Sequence, residues 1–360
     1  MVIHSRTSKK ANVALLAGSL LIALLASEVL LRLLGMTSPV LYQSNSEWGY
    51  EPRPNQEASR LGVTVFINDL GLRETDPSRQ LEGKPQILVL GNSVTYGGSR
   101  TEHADLFTTR LESMLRDALP SVEVLNGGVN GYSVTQMARR GRDLSNAVRA
   151  DVLMFYTIPN DWERPPLQLI APGNYAYPMQ RPRSALWDLL RLSVNHLNGR
   201  YDVRGILPGA INRLWTIPEN IVPPYDTLNV VSTNIDALLT MLADLPLASD
   251  SGRVAAIVFV APSRSQVCDG IAGNNSDVVG RLMNRGVEVV DLEGDFVARL
   301  EGDCSQIGSY FWDDVHYRSR GHELVSRILF DRIACSDLLT PWALGKLTCP
   351  ELADGAPASR

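Results

Sequence analysis

Ser93, Gly128, Asn160, Asp313 and His316 are the residues of this chain whose types could act together, and the reaction they suit is acyl transfer. Cleaving an ester needs a nucleophile, a base, a group that orients the base and donors for the developing oxyanion. Ser93 supplies a hydroxyl that can attack. His316 can take its proton, because an imidazole accepts and returns protons near neutral pH. Asp313 lies three residues before His316, so one turn brings its carboxylate to the other ring nitrogen. The backbone N–H groups of Ser93 and Gly128, with the side-chain amide of Asn160, would face the oxyanion. Asp314 stays open as the orienting acid if the loop turns differently. Taken singly, a serine after an apolar strand, a glycine turn or an acid before a histidine is ordinary. Their joint occurrence carries the reading.

The elements around these residues place them at one rim. Gln86-Ile87-Leu88-Val89-Leu90 is an apolar run that reads as a buried strand entering a tight turn at Gly91-Asn92-Ser93. Leu106, Phe107, Leu111, Met114, Leu115 and Leu119 form a helical stripe. Val122–Leu125 is a second strand ending in the turn Asn126–Gly131, and a helix pattern runs from about Val134 to Val148. Asp151–Tyr156 is a third strand, closing at Pro159-Asn160-Asp161. A helix near Ile235 to Leu245, a strand from Val254 to Val260, a helix near Val278 to Asn284, a strand from Val287 to Asp291 and a closing helix from Gly321 to Ile333 follow. Strands alternating with helices predict an α/β, three-layer α/β/α fold around a central parallel sheet. Open sheets of that kind hold their ligands beyond the carboxyl ends of the strands, where the serine, glycine and asparagine fall.

With these blocks in order, the chain resembles the SGNH (GDSL-like) hydrolase family over roughly Pro85 to Ile333, leaving out an insertion. The resemblance implies the flavodoxin-like fold of that family, a serine esterase, and roles for Ser93, Gly128, Asn160, Asp313 and His316 as above. The N-terminal arrangement is similar to membrane-anchored bacterial members associated with cell-envelope glycans. That implies removal or transfer of short O-acyl groups, such as acetyl, on a glycan. A lipid-ester or thioester substrate is the alternative within enzymes, and a non-catalytic glycan-binding scaffold the alternative outside them. Two departures stand out: Asn92 replaces the usual Asp before the nucleophile, and Ile158 replaces the usual Gly two before Asn160.

Composition narrows the remaining classes. With 360 residues, 44% of them hydrophobic, and a net charge of −5, the chain builds a sizeable core and has no basic face for nucleic acid. No Cys/His cluster at metal spacing and no Gly-rich phosphate loop occurs, so neither metal nor cofactor is expected. Residues 1–36 read as a basic tail (Arg6, Lys9, Lys10) and a signal-anchor helix, which predicts an N-terminus in the cytoplasm and a domain beyond the inner membrane. A cleaved signal peptide competes, although Leu24 makes a poor cleavage site after Ala26. Glu28 and Arg32 share a face of that helix and can pair near its outer end.

Residues 37–84 read as a β element, with a strand over Gly62–Asn68, covering an edge of the 85–335 domain; 336–360 form a tail. An insertion over about 161–230, rich in proline and holding Trp162, Trp187 and Trp215, is either a surface subdomain or a substrate-shaping lid. Of the other histidines, His322 is expected to cap or pack the last helix, and His4, His103 and His196 lack a partner that completes a site. Four cysteines on an exported domain suggest disulfides, by proximity Cys268 with Cys304 and Cys335 with Cys349.

Overall fold

The computed structural model describes residues 9–74, 85–169, 176–201, 221–222, 229–245, 247–248, 252–270, 275–301, 303–336, 338–339, 347 and 349. His4, Trp215, the His196 side chain and the tail from Glu351 lie outside them.

An apolar helix opens the chain, α1 (Lys9–Leu33), followed by β1 (Tyr42–Asn45), β2 (Gly49–Pro52), β3 (Gln56–Arg60), β4 (Val63–Ile67) and β5 (Arg73–Glu74). The main run is β6 (Gln86–Gly91), α2 (Ser93–Tyr96), α3 (Phe107–Arg116), β7 (Glu123–Asn126), α4 (Val134–Val148), β8 (Val152–Thr157) and α5 (Pro159–Glu163). Within the insertion lie β9 (Gln168–Leu169), α6 (Ala185–Tyr201) and β10 (Ile221–Val222). After it come α7 (Val230–Ala243), β11 (Leu247–Ala248), β12 (Gly252–Arg253), β13 (Ala255–Val260), α8 (Arg264–Asp269), α9 (Asn275–Met283), β14 (Val289–Asp291), α10 (Glu293–Arg299) and α11 (Ser319–Ala334).

Eight strands form the central sheet in the order β14-β13-β8-β6-β7-β5-β4-β3. The first five pair in parallel, as the alternation of elements predicts. Counted among themselves in chain order they run 2-1-3-4-5, the doubly wound arrangement whose switch point lies beside its first strand, here β6. The sheet is nevertheless mixed. β5 pairs antiparallel to β7 through Arg73 and Asn126, and β4 and β3 extend it further. Strands β3 to β5 thus cover the β7 edge by extending the sheet from it, and the short β3 becomes the outer strand.

Alternation along the parallel strands divides the core into two faces. Leu88, Leu90, Leu153, Phe155, Val258 and Val260 pack with Met137, Ala138, Leu238 and Leu282, from α4, α7 and α9. Ile87, Val89, Met154, Tyr156, Ile257 and Phe259 pack with Phe107, Leu111, Phe296, Val325 and Ile328, from α3, α10 and α11. Helices on both faces of a sheet buried on both sides make the three layers. Each such aliphatic or aromatic side chain contributes about 1.5–3 kcal/mol by leaving water.

α1 carries the segment Ala11–Leu33, of mean hydropathy 2.3, long and apolar enough to cross a membrane. It ends at Gly35, whose φ of +75° needs a residue without Cβ and whose position would drive a Cβ into the Ser59 carbonyl oxygen at 2.0 Å. There the helix is fastened to the β3–β4 hairpin, because the Leu61 N–H donates to the Leu34 carbonyl at 2.8 Å.

Candidate active site

Ser93 opens α2 directly after β6. Asn92 caps this short helix: its side-chain oxygen accepts the Val94 N–H at 2.7 Å. Gly97 ends it at φ +77°, and a Cβ there would meet Leu106 Cδ2 at 2.1 Å. Ser93 is therefore presented on a single tight turn between two fixed ends.

Ser93 Oγ lies 2.8 Å from His316 Nε2. The other ring nitrogen, Nδ1, lies 2.8 Å from Asp313 Oδ2 and 3.0 Å from Oδ1. Asp313 also accepts the backbone N–H groups of His316 at 2.9 Å and Val315 at 3.0 Å. Burial pushes the Asp313 carboxyl up, but these two N–H groups and the imidazole outweigh it and hold it below its ordinary value. Asp314 is resolved differently: its carboxylate accepts the Ser265 N–H at 3.0 Å and the Ser265 hydroxyl at 2.8 Å, on α8. Asp313 is the acid that faces the ring, and Asp314 anchors the loop.

That loop is held from several sides. The Trp312 N–H donates to the His316 carbonyl at 2.8 Å, and the Arg318 guanidinium lies 3.6 Å over the Trp312 ring. The Tyr317 hydroxyl meets the Tyr156 hydroxyl of β8 at 2.8 Å. Cys268 of α8 is bonded to Cys304, a few residues upstream of the loop, and Cys335 to Cys349, the pairs that proximity suggests. His322 packs on Phe107 and Tyr317, and its Nδ1 accepts the Phe107 N–H at 3.4 Å. Burial, with the charges of Arg73 and Arg110, pushes its pKa down to about 3, so it is a neutral wall of the site and no base.

The remaining expected residues are placed less uniformly. Gly128 follows β7, and a Cβ on it would meet the Tyr96 nitrogen at 2.4 Å, so glycine is needed where α2 crosses the turn. Its N–H already donates to the Asn126 side chain at 3.0 Å, whose amide group in turn donates to the Thr95 carbonyl at 2.8 Å. Asn160 is exposed in the first turn of α5, past the end of β8. Ile158, the bulky departure, is buried in the core under that turn.

Three polar residues that the sequence reading passes over position the site. Arg73, fully buried on β5, donates to the carbonyls of Tyr96 at 2.6 Å, Gly98 at 2.5 Å and Thr101 at 2.6 Å, fixing the chain that leaves α2. Arg140 of α4 holds the Gly127 carbonyl at 3.0 Å and the Gly71 carbonyl at 2.8 Å. Asn234 of α7 donates to the carbonyls of Trp162 at 2.8 Å and Arg164 at 3.0 Å, and accepts from the Thr135 N–H at 2.9 Å and hydroxyl at 2.7 Å. A lone polar residue on an otherwise apolar face was the signal available for Asn234.

A cavity of about 1050 Å³ opens over Ser93, Asp313 and His316. Gly97, Gly98 and Trp312 also line it, and Gly128 and Asn160 are not among its walls.

No family model matches the chain, and no curated protein does. Solved structures similar to it include Axe2, an acetylxylan esterase from Geobacillus stearothermophilus, at 14% identity and a TM-score of 0.42, with 70% of this chain and 95% of that one covered. A two-domain esterase (CEX) active on acetylated mannans matches at 11% identity and a TM-score of 0.41, covering 76% of this chain and 53% of that one. The lipase/acylhydrolase from Enterococcus faecalis matches at 12% identity and a TM-score of 0.38, covering 74% and 99%. Values this low leave function to be argued from the side chains.

Proposed function

We propose that this chain is a serine esterase of the SGNH (GDSL-like) type, held at a membrane by α1 and acting on short O-acyl groups of cell-envelope glycans. The observation that carries the reading is the continuous contact from Ser93 Oγ through both ring nitrogens of His316 to Asp313, each step 2.8 Å at its shortest. Ser93 Oγ attacks the acyl carbon as its proton passes to His316 Nε2. The imidazolium so formed is stabilised at Nδ1 by the Asp313 carboxylate. Collapse of the tetrahedral intermediate breaks the ester C–O bond, and the leaving sugar oxygen takes the proton back from Nε2. The acyl-enzyme is then attacked by water or by a second sugar hydroxyl, with the same proton relay. The first half-reaction is common to hydrolysis and transfer.

The oxyanion donor that the geometry supports is the Ser93 N–H, which has no partner within α2 because it opens the helix. The resemblance adds the Asn160 amide and the Gly128 N–H, which stand outside the cavity walls, the latter already given to Asn126. Membrane placement is supported by the apolar Ala11–Leu33 segment after a basic start, and an oxidising exterior by the two disulfides. An acetylated glycan as substrate is supported by the resemblance to membrane-anchored members of the family.

The test is turnover of p-nitrophenyl acetate by the full chain in detergent micelles, beside Ser93→Ala and His316→Ala. Wild-type turnover well above both variants supports the esterase; equal rates for all three return the fold to a binding scaffold. Carbonate extraction of membranes tests the anchor, and a soluble mature protein lacking α1 would remove it.

A further inference from the structure

The cavity over the catalytic serine is built partly from the apolar helix. Leu31, in the last turn of α1, and Met36, just beyond it, line the same space as Ser93 and His316. Leu189 and Ser193 of α6, the helix of the insertion, line it too. α6 is itself fastened to α1. Glu28 accepts the N–H groups of Ala185 at 3.0 Å and Leu186 at 2.9 Å and the Ser184 hydroxyl at 2.9 Å, capping the start of α6, while its partner Arg32 reaches the Arg183 carbonyl. Trp187 and Leu190 of α6 are 41% and 42% exposed, an aromatic and an aliphatic side chain on a helix bound to the outer end of the apolar one. Aromatic residues of this kind favour the boundary between lipid and water. The walls also carry Arg60 and Arg100, close enough that each feels the other's charge, with Asp188 of α6 on the Arg60 side.

We infer that the ester reaches Ser93 on a carrier that is itself seated in the bilayer, a glycan on an anionic membrane lipid, entering between the end of α1 and α6. This rests on the esterase reading and names its substrate class. Leu31 lies two residues from the end of the apolar span, so about 3 Å of helix separates the cavity wall from that end. An ester on a lipid-linked sugar can extend from the bilayer surface directly into the cavity. Its lipid-proximal carbons would lie along Leu31, Met36 and Leu189, and an anionic link such as a phosphate beside Arg60 and Arg100. Arg60 and Arg100, with Arg191 also beside Asp188, outnumber that carboxylate, and the excess positive charge suits a phosphate. A volume of about 1050 Å³ is far more than an acetyl group needs.

The experiment uses the full chain in phosphatidylcholine vesicles and an acetylated glucose joined to octadecyl phosphate, directly or through a long polyethylene-glycol spacer. Both probes have the same surface concentration, so proximity from the anchor alone cannot favour either. The expected result is acetate release about tenfold faster from the direct conjugate, with the advantage lost in Leu31→Gln/Leu189→Gln. A threefold or larger fall in the preference for octadecyl phosphate over neutral octadecyl is expected in Arg60→Gln/Arg100→Gln. Equal or faster release from the spacer conjugate overturns the inference while p-nitrophenyl acetate turnover stands. Equal turnover of the phosphate and neutral carriers overturns its anionic half. Absence of p-nitrophenyl acetate turnover above Ser93→Ala removes the esterase reading and the inference with it.

Discussion

The amide nitrogen of Asn92 sits 2.7 Å from both carboxylate oxygens of Asp161, in a fully buried contact between the nucleophile turn and the first turn after β8. Asp161 also accepts the Ile158 N–H at 3.0 Å and faces Arg164 at 3.6 Å. An aspartate at position 92 would place a second carboxylate against the first. The asparagine is thus matched to Asp161, and the pair ties the loop of Ser93 to the loop of Asn160.

Asn92→Asp is expected to lower stability by about 2–4 kcal/mol at pH 8, because two buried carboxylates cannot both stay charged at hydrogen-bond distance. Urea unfolding should show the loss shrinking at pH 5, where one proton can be shared. Asn92→Asp/Asp161→Asn should recover most of it at pH 8. A single variant as stable as wild type at pH 8 would refute the pairing.

Burial pushes the Asp161 carboxyl up to about 7 from an ordinary 3.8, against the pull of Arg164, Asn92 and the Ile158 N–H. The folded chain therefore holds a proton that the unfolded chain releases at lower pH. Stability from this group is fully present below about pH 4 and is lost as pH rises through 7. The difference in unfolding free energy between wild type and Asp161→Asn should accordingly shift against wild type between pH 4 and 7. A constant difference would show that the carboxyl is charged throughout.

Asp313→Asn should reduce kcat for p-nitrophenyl acetate by about 10²–10⁴-fold, since the imidazolium loses its counter-charge and the ring its fixed tautomer. Asp314→Asn keeps an acceptor for Ser265 and should stay within a fewfold of wild type. Reversal of this order would exchange the two roles.

Arg73→Met should destabilise the chain by about 3 kcal/mol or more, because three carbonyl groups, two of them fully buried, lose a charged donor. Thermal melting reads the loss. In protein that still folds, kcat should fall as well, because the chain leaving α2 is released.

Glu28→Ala removes the cap of α6 and should loosen the first turn of that helix. Limited proteolysis of vesicle-bound protein should then cut within α6 earlier than in wild type, with the catalytic domain unaffected. Unchanged cleavage would mean that α6 is held by something other than α1.

The contact among Ser93, His316 and Asp313 was legible because its signals are local. An apolar run into Gly91-Asn92-Ser93 marks a buried strand and its turn, and the Asp313-to-His316 spacing is short enough to be read without a fold. Helix α4 was placed at both ends by a polar, basic helix pattern between two turns. Arg73, Arg140 and Asn234 were not legible, since each acts on backbone carbonyls from distant parts of the chain and nothing in their own surroundings names a partner. The three antiparallel strands were compressed into one expected strand because β3 and β5 are short and polar. Asp314 and Asp313 could be separated only by seeing Ser265 beside one of them. The contribution of Leu31 to the catalytic cavity depended on α1 packing back on α6, which no periodicity reveals.

In the proposed membrane-held esterase, the seam between the Leu61 amide and the Leu34 carbonyl, closed over Gly35, would set the altitude of the domain. A catalytic body on a slack leash would sweep a hemisphere; one bolted to its post samples a thin layer at constant height and tilt. Esters deep in a polymer wall would stay out of range, however well they fitted the pocket, while those in that layer would be met repeatedly in one orientation.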